Sequence, residues 1–360
     1  MLLKLQTKES LSKIKTYVPG KSIKDAIKLS SNENALGASP KAIKAFKDSA
    51  DKLFRYPDGS ANELKKTIAT KLGQGLECKN IIVGAGSDEI FSIISTAFLN
   101  TGENIIQSEY GFLMYAIYAY AHGADVLMSK DTNFTADVDA MLNLINSQTK
   151  IIYIANPNNP TGTFIENDKI LKLINQTPSN ILIVIDSAYE EYINEESYLS
   201  LYRICLEREN VIITKTFSKM YGLASLRLGY GIAHQNTIDI LNKIRGPFNT
   251  STPAQLAGMA ALIDDDFVAI SKNHNTTELS RVCSCLSKMG IDYIKSQGNF
   301  VMFKAGDDAK TLDEFLLNNK VTIRRLDSYN LNQYLRVTIG TMEENDAFLS
   351  AITQFYNKAL

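Results

Sequence analysis

The amino-acid sequence predicts an α/β protein: a large unit on a mostly parallel sheet flanked by helices, then a smaller α+β unit. Two observations carry this. From Asn80 onward, short runs rich in Ile and Val alternate with longer amphipathic stretches, the pattern of strand and crossover helix. After Arg245-Gly-Pro247 the alternation gives way to long helical stretches and isolated strands. The expected division is an arm at residues 1–30 joining the smaller unit, a large unit at 31–248 and a smaller unit at 249–360.

Taken in order, the arm holds an amphipathic turn, then Tyr17-Val-Pro-Gly20, then a strand at Ile27-Lys-Leu-Ser30. Ser39 caps a helix that starts at Pro40, because proline suits the first helical position. Arg55-Tyr56-Pro57-Asp58-Gly59-Ser60 is a loop by its Pro and Gly content, and a helix follows from Asn62. Buried strands are expected at Ile81–Val83, Asn104–Ile106, Ile151–Ile154, Ile181–Ile185, Val211–Ile213 and Gly229–Ile232. Helices fall between them at 88–98, 112–122, 137–145 and 167–175. The smaller unit reads as helix over 253–288, broken near Asp264-Asp-Asp266. A strand at 299–303, a helix at 311–318, strands near 322–324 and 335–339 and a final helix complete it.

Bulk properties narrow the function. The 360 residues allow a large core, and 45% hydrophobic with 21% charged residues is ordinary for a globular chain. A net charge of -1 argues against a nucleic acid or an anionic membrane as partner. Cys78, Cys205, Cys283 and Cys285 are too few and scattered for a disulfide framework, and Cys283-Ser-Cys285 lacks the gap of a zinc knuckle. The three histidines show no triad or metal spacing, so no metal is expected. With neither a signal-like N-terminus nor a run of ~18 apolar residues, a soluble, cytoplasmic protein is expected.

The chemistry centres on residues 216–230. Lys219 follows the apolar run Val211-Ile-Ile, with Thr216 and Ser218 beside it and Arg227 beyond a Gly-containing turn. A lysine held against apolar walls loses hydration, which lowers its pKa and frees its amine to attack a carbonyl. The hydroxyls and Arg227 would hold an anion close by. An aldehyde and a phosphate side by side describe pyridoxal phosphate; a surface lysine after a strand is the plain alternative.

Four further segments lie at strand ends, where parallel sheets collect ligands. Gly84-Ala-Gly86-Ser87-Asp88-Glu89 opens a helix, and its first amides suit either an anion or an ordinary capped turn. Asn156-Pro-Asn-Asn159-Pro160 is a stiff turn that could aim one amide at a ring substituent, and Asn159–Pro160 is a candidate for a cis bond. Asp186 ends an apolar run, where a carboxylate needs a cation such as a protonated pyridine nitrogen, or else serves as a helix cap. Tyr189 is placed to donate to a ring oxygen. Phe112, with Tyr110 second, offers a face for stacking or simply fills core.

In this order the segments resemble fold-type I pyridoxal-phosphate aminotransferases, and within them the histidinol-phosphate branch. Tyr17-Val-Pro-Gly, Leu29-Ser-Ser-Asn32-Glu33-Asn34, Arg55-Tyr56-Pro-Asp and Tyr334-Leu-Arg336-Val-Thr-Ile-Gly-Thr341 extend the likeness over nearly the whole chain. The resemblance implies that Lys219 carries pyridoxal 5'-phosphate covalently and moves the proton at substrate Cα, while Asp186 pairs with the pyridine nitrogen. It implies that Asn159 and Tyr189 bond the ring oxygen, and that Ser87, Asp88, Thr216, Ser218 and Arg227 hold the phosphate. Tyr56 would reach that phosphate from the other subunit of a homodimer. Arg336 would take the glutamate carboxylate and the phosphate of histidinol phosphate, with Arg324 (or Arg325) adding charge and Tyr17 closing over the substrate. Ser187, Ala35 and Ser225 depart from the family pattern without touching a catalytic atom. Aromatic aminotransferases, a phosphothreonine decarboxylase and a non-catalytic binder of the cofactor remain alternatives.

Overall fold

The computed structural model describes residues 6–16 and 23–358, and Tyr17 lies outside the described residues. Seven strands form the large sheet: β1 (Ile81–Gly84), β2 (Asn104–Ser108), β3 (Asp125–Ser129), β4 (Thr149–Ala155), β5 (Leu182–Asp186), β6 (Val211–Thr216) and β7 (Gly229–Ala233). Their order is β1-β7-β6-β5-β4-β2-β3. β2 to β6 pair in parallel, and β7 runs antiparallel to β1 and β6.

Both faces of this sheet are buried. Ile81, Val83, Ile183 and Ile185 enter one core, while Ile82, Leu182, Val184 and Ile212 enter the other. Side chains alternate between the faces of a strand, so burying both demands an unbroken apolar run. That demand is why the central strands are legible in sequence. β3 is not, because it pairs only with β2 at the sheet edge and its alternation includes exposed Asp125 and Met128. The antiparallel course of β7 follows from its connection to β6, which holds a 3-10 turn at Ala224–Leu226 and no crossover helix.

The flanking helices Ser87–Phe98, Leu113–Ala121, Val138–Asn143 and Asn167–Gln176 lie where expected, to within about two residues. The Ser39 hydroxyl accepts from the Ala42 amide at 3.0 Å and Pro40 opens the helix, as its sequence requires.

The smaller unit has a four-stranded antiparallel sheet of Tyr293–Ile294, Phe300–Lys304, Arg324–Arg325 and Tyr334–Thr338. Its long helix, Asp265–Lys288, starts at the acidic run. The preceding helix, Thr252–Leu262, places Ala254, Ala257 and Ala261 in the core of the large unit, so that core extends past residue 248. Ile27–Lys28 pairs in parallel with Val321–Thr322, and Leu29 packs with Val301 and Phe303. Earlier in the arm, Lys13 pairs with Asp125 at 2.8 Å and Lys8 donates to the Ala121 carbonyl at 2.9 Å, on the large unit. The arm thus touches both units, and residues 30–34 cross between them. Among the described residues, no helix is long and apolar enough to cross a membrane.

Candidate active site

The carboxyl ends of β1, β4, β5 and β6 lie at Gly84, Ala155, Asp186 and Thr216, with Gly229 of β7 paired to both Gly84 and Thr216. Residues 30–34 and the sheet of the smaller unit close the other side. Gly229 has to be glycine: a Cβ there would lie 2.3 Å from the Ser87 amide nitrogen. Its absence lets the helix that starts at Ser87 abut the sheet.

Asp186 is buried at 7% exposure. Oδ2 accepts from the Tyr115 hydroxyl at 2.6 Å, and Oδ1 from the Ala188 amide at 3.2 Å and the Thr214 hydroxyl at 3.4 Å. Burial pushes its carboxyl up to about 6, against the pull of those donors. Among the described residues no lysine or arginine pairs with it. A buried carboxylate with that deficit suits a cationic ligand atom.

Lys219, half-buried, donates to the Ser31 carbonyl at 3.1 Å and lies 5.7 Å from the centre of the Tyr189 ring. Burial lowers its pKa to about 8, and Arg336 and Arg227 add repulsion against the opposing charges of Glu33 and Asp186. Near neutral pH roughly a tenth of this amine is therefore neutral and nucleophilic, far more than for an ordinary lysine.

The anion cradle is also assembled. Ser87 and Asp88 begin a helix after Gly86, whose φ of 85° takes the chain into it. Their amides belong to the first helical turn, which lacks internal acceptors. The Glu89 carboxylate accepts from the Ala85 amide at 2.6 Å and steadies the loop. Arg227, at a left-handed φ of 50°, crosses this loop so closely that a Cβ on Gly86 would lie 2.7 Å from its Nη2. Its Nη1 donates to the Ala224 carbonyl at 3.0 Å and, at 3.4 Å, to the Ser218 hydroxyl, and Thr216 Oγ1 accepts from the Ser218 amide at 3.1 Å. No carboxylate forms an ion pair with Arg227 among the described residues. The Asp88 side chain turns away to accept from Tyr118 at 2.9 Å.

Opposite Lys219 lies Arg336, only 6% exposed. It donates to Asn159 Oδ1 and, at 2.9 Å, to the Ser30 carbonyl, while its buried Nε has no partner. Burial, with Arg324 adding repulsion, lowers its pKa, so this guanidinium favours an incoming anion. Arg324 pairs across strands with Arg336, which puts both on one face of the sheet. Arg325 is instead held by Asp327 through two bonds of 2.7 Å. Tyr189 is buried and its hydroxyl accepts from Asn32 at 2.8 Å; burial raises its phenol to about 12. Asn156–Pro157 and Asn159–Pro160 are both cis.

Three predicted residues lie apart from these contacts. Phe112 caps the helix Leu113–Ala121 and meets Tyr115 edge-on at 5.7 Å, while Tyr110 packs on Phe134 at the same separation. Tyr56 is 82% exposed, stacked at 4.7 Å on Phe248. Residues absent from the sequence-based set complete the site: Tyr115 under Asp186, and Ser30, Ser31 and Asn32 from the crossing segment at 30–34. Behind the site, the Lys215 ammonium is buried with Glu190 at 2.5 Å and Glu191 at 2.8 Å, which outweigh the burial penalty and keep it charged. This cluster ties the turn after Tyr189 to β6.

Comparison with known proteins places this geometry. The family model for aminotransferase class I and II matches residues 24–352. A histidinol-phosphate aminotransferase of Maricaulis maris is 38% identical over 359 residues, covering 98% of this chain and 99% of that protein. The crystal structure of histidinol-phosphate aminotransferase from Sinorhizobium meliloti, in complex with pyridoxal-5'-phosphate, aligns with a TM-score of 0.88 at 25% identity, over 92% of this chain and 91% of that one. That of the Clostridium acetobutylicum histidinol-phosphate aminotransferase aligns with a TM-score of 0.84 at 25% identity, over 92% and 99%.

Proposed function

The chain belongs to the class I and II aminotransferase family, and from that premise we infer that it moves an amino group between glutamate and histidinol phosphate in histidine biosynthesis. Pyridoxal 5'-phosphate is its cofactor. One observation carries the reading. An amine of lowered basicity, a buried carboxylate without a cation and a buried guanidinium with a free Nε meet in one cleft.

When bound, the cofactor supplies an electron sink for the negative charge that develops at substrate Cα. Lys219 would hold its aldehyde carbon, and its amine would serve as the acid and base for the proton at substrate Cα. Asp186 holds the ring nitrogen as a cation. Asn159 and Tyr189 would serve the ring oxygen, and Phe112, with Tyr110 second, would offer the face for stacking. The amides of Ser87 and Asp88, with Thr216, Ser218 and Arg227, bind the phosphate. Arg336 offers its planar fork to the glutamate carboxylate in one half-reaction and to the substrate phosphate in the other. Arg324, on the same face, adds charge for the phosphate dianion, and Arg325 is engaged elsewhere.

The reaction test is glutamate formation from 2-oxoglutarate with histidinol phosphate or phenylalanine as donor. The expected kcat/KM is at least about tenfold higher for the phosphorylated donor, since a phosphate-binding arginine left without its partner by phenylalanine costs at least that much. Equal values would move the chain to the aromatic branch.

Tyr56 serves the phosphate of a second subunit, and the active enzyme is a homodimer. Supporting this, Leu53, Phe54 and Tyr56 form an exposed apolar stretch, which calls for a covering partner. Tyr56→Phe should weaken cofactor retention. A heterodimer of a Tyr56→Phe and a Lys219→Ala subunit holds one site with both residues intact. At limiting cofactor the mixture should therefore exceed the summed activities of its parts, and strict additivity would count against the shared site.

A further inference from the structure

The shortest polar contact to Asp186 comes from Tyr115, whose hydroxyl donates to Oδ2 at 2.6 Å. The ring is fixed by neighbours: Tyr153 stacks on it at 4.5 Å and 6°, and Phe91 meets it edge-on at 5.0 Å. A phenylalanine would satisfy that packing equally, so packing gives no reason for the hydroxyl. Asp186 does give one. Burial and the charge of Asp88 both favour its neutral form, and the Tyr115 hydroxyl heads the donors acting the other way. The phenol keeps its own proton, because burial and the adjacent carboxylate raise its pKa well above the ordinary value. One turn along the same helix, Tyr118 donates to Asp88 at 2.9 Å. Residues three apart share a helix face, so this face supplies a donor to each carboxylate.

We propose that Tyr115 is a positioning residue whose hydroxyl orients Asp186 and keeps it an anion, so that the proton shared with the cofactor resides on the ring nitrogen. This deepens the reading above and rests on its assignment of Asp186. An aspartate deprived of its donor in this buried place shifts toward the neutral acid, which cannot pair with a pyridinium.

The test uses the full-length apoprotein and two probes, pyridoxal 5'-phosphate and its 1-deaza analogue, in which carbon replaces the ring nitrogen. Affinities are read from cofactor absorbance. Tyr115→Phe should lower affinity for the natural cofactor roughly tenfold and leave the analogue unchanged, because only the former has a nitrogen to pair. It should also move the ring-nitrogen NMR signal of 15N-labelled cofactor in the holoenzyme toward the unprotonated position. Equal losses for both probes, or no loss for either, would overturn the proposal. Asp186→Asn separates the two levels of argument. If it erases the preference for the natural cofactor while Tyr115→Phe does not reduce it, the Tyr115 role alone fails. If Asp186→Asn leaves the preference intact, the Asp186 assignment falls and the Tyr115 role with it. In the Asp186→Asn background, Tyr115→Phe should have no further effect on the ratio of the two affinities.

Discussion

Replacing Lys219 with alanine is expected to lower turnover by about ten-thousand-fold while the protein still binds the cofactor through its other contacts. The size reflects two losses at one atom: the amine that attaches the cofactor and the base that moves the proton at Cα. Retained binding reflects the separate anion cradle, in which Arg227, Ser218 and the start of the helix at Ser87 are unaffected. The same lysine has a pH signature. With its pKa lowered from 10.5 to about 8, the neutral amine accumulates as pH rises through 8. Coupling of the apoprotein to pyridoxal 5'-phosphate should therefore accelerate up to that pH and level above it. A lysine with ordinary solvation would continue to gain up to 10.5. Near-normal turnover by Lys219→Ala would remove the assignment.

Arg336→Gln is expected to reduce kcat/KM by roughly a thousandfold for both glutamate and histidinol phosphate, the range for losing one partner of a buried charged contact. Both donors suffer because one guanidinium serves a carboxylate and a phosphate in turn. Arg336→Lys should recover little, since a point charge cannot make the two parallel bonds of the fork. Arg324→Gln discriminates between donors: about tenfold loss with histidinol phosphate and little with glutamate, as expected of a residue that meets only the dianion. Steady-state kinetics with each donor checks these ratios. Equal effects of Arg324→Gln on both would contradict its assignment to the phosphate. Arg336 also ties Asn159 and Ser30 together, so circular dichroism should accompany the kinetics.

The legibility of this site varies with the physics of each residue. Val211–Ile213 and Ile181–Ile185 are readable because two-sided burial leaves no polar alternation, and Asp186 and Lys219 are located by lying just beyond these apolar runs. Those two stand out because their types are costly where they lie. Tyr115 gives no such signal. On its helix it reads as one more apolar-face aromatic, and only depth and direction reveal the hydroxyl's partner. Asn32 and Ser31 escape for another reason: their contacts to Tyr189 and Lys219 span 157 and 188 residues of sequence. The choice between Arg324 and Arg325 depends on strand register, which adjacent arginines cannot disclose. The pairing of Arg324 with Arg336 supplies it. Lys215 reads as a strand residue like its neighbours, and its burial is intelligible only with Glu190 and Glu191 packed against it.

The most direct test of the account is a single half-reaction monitored by absorbance. The purified holoenzyme is mixed, without any amino acceptor, with glutamate, with histidinol phosphate or with phenylalanine, and loss of the cofactor's visible band is recorded. Glutamate and histidinol phosphate should each discharge the band, with histidinol phosphate effective at much lower concentration than phenylalanine. A band discharged best by phenylalanine would contradict the assignment of Arg324 and Arg336 to a phosphate. A protein that takes up no cofactor would contradict the account as a whole.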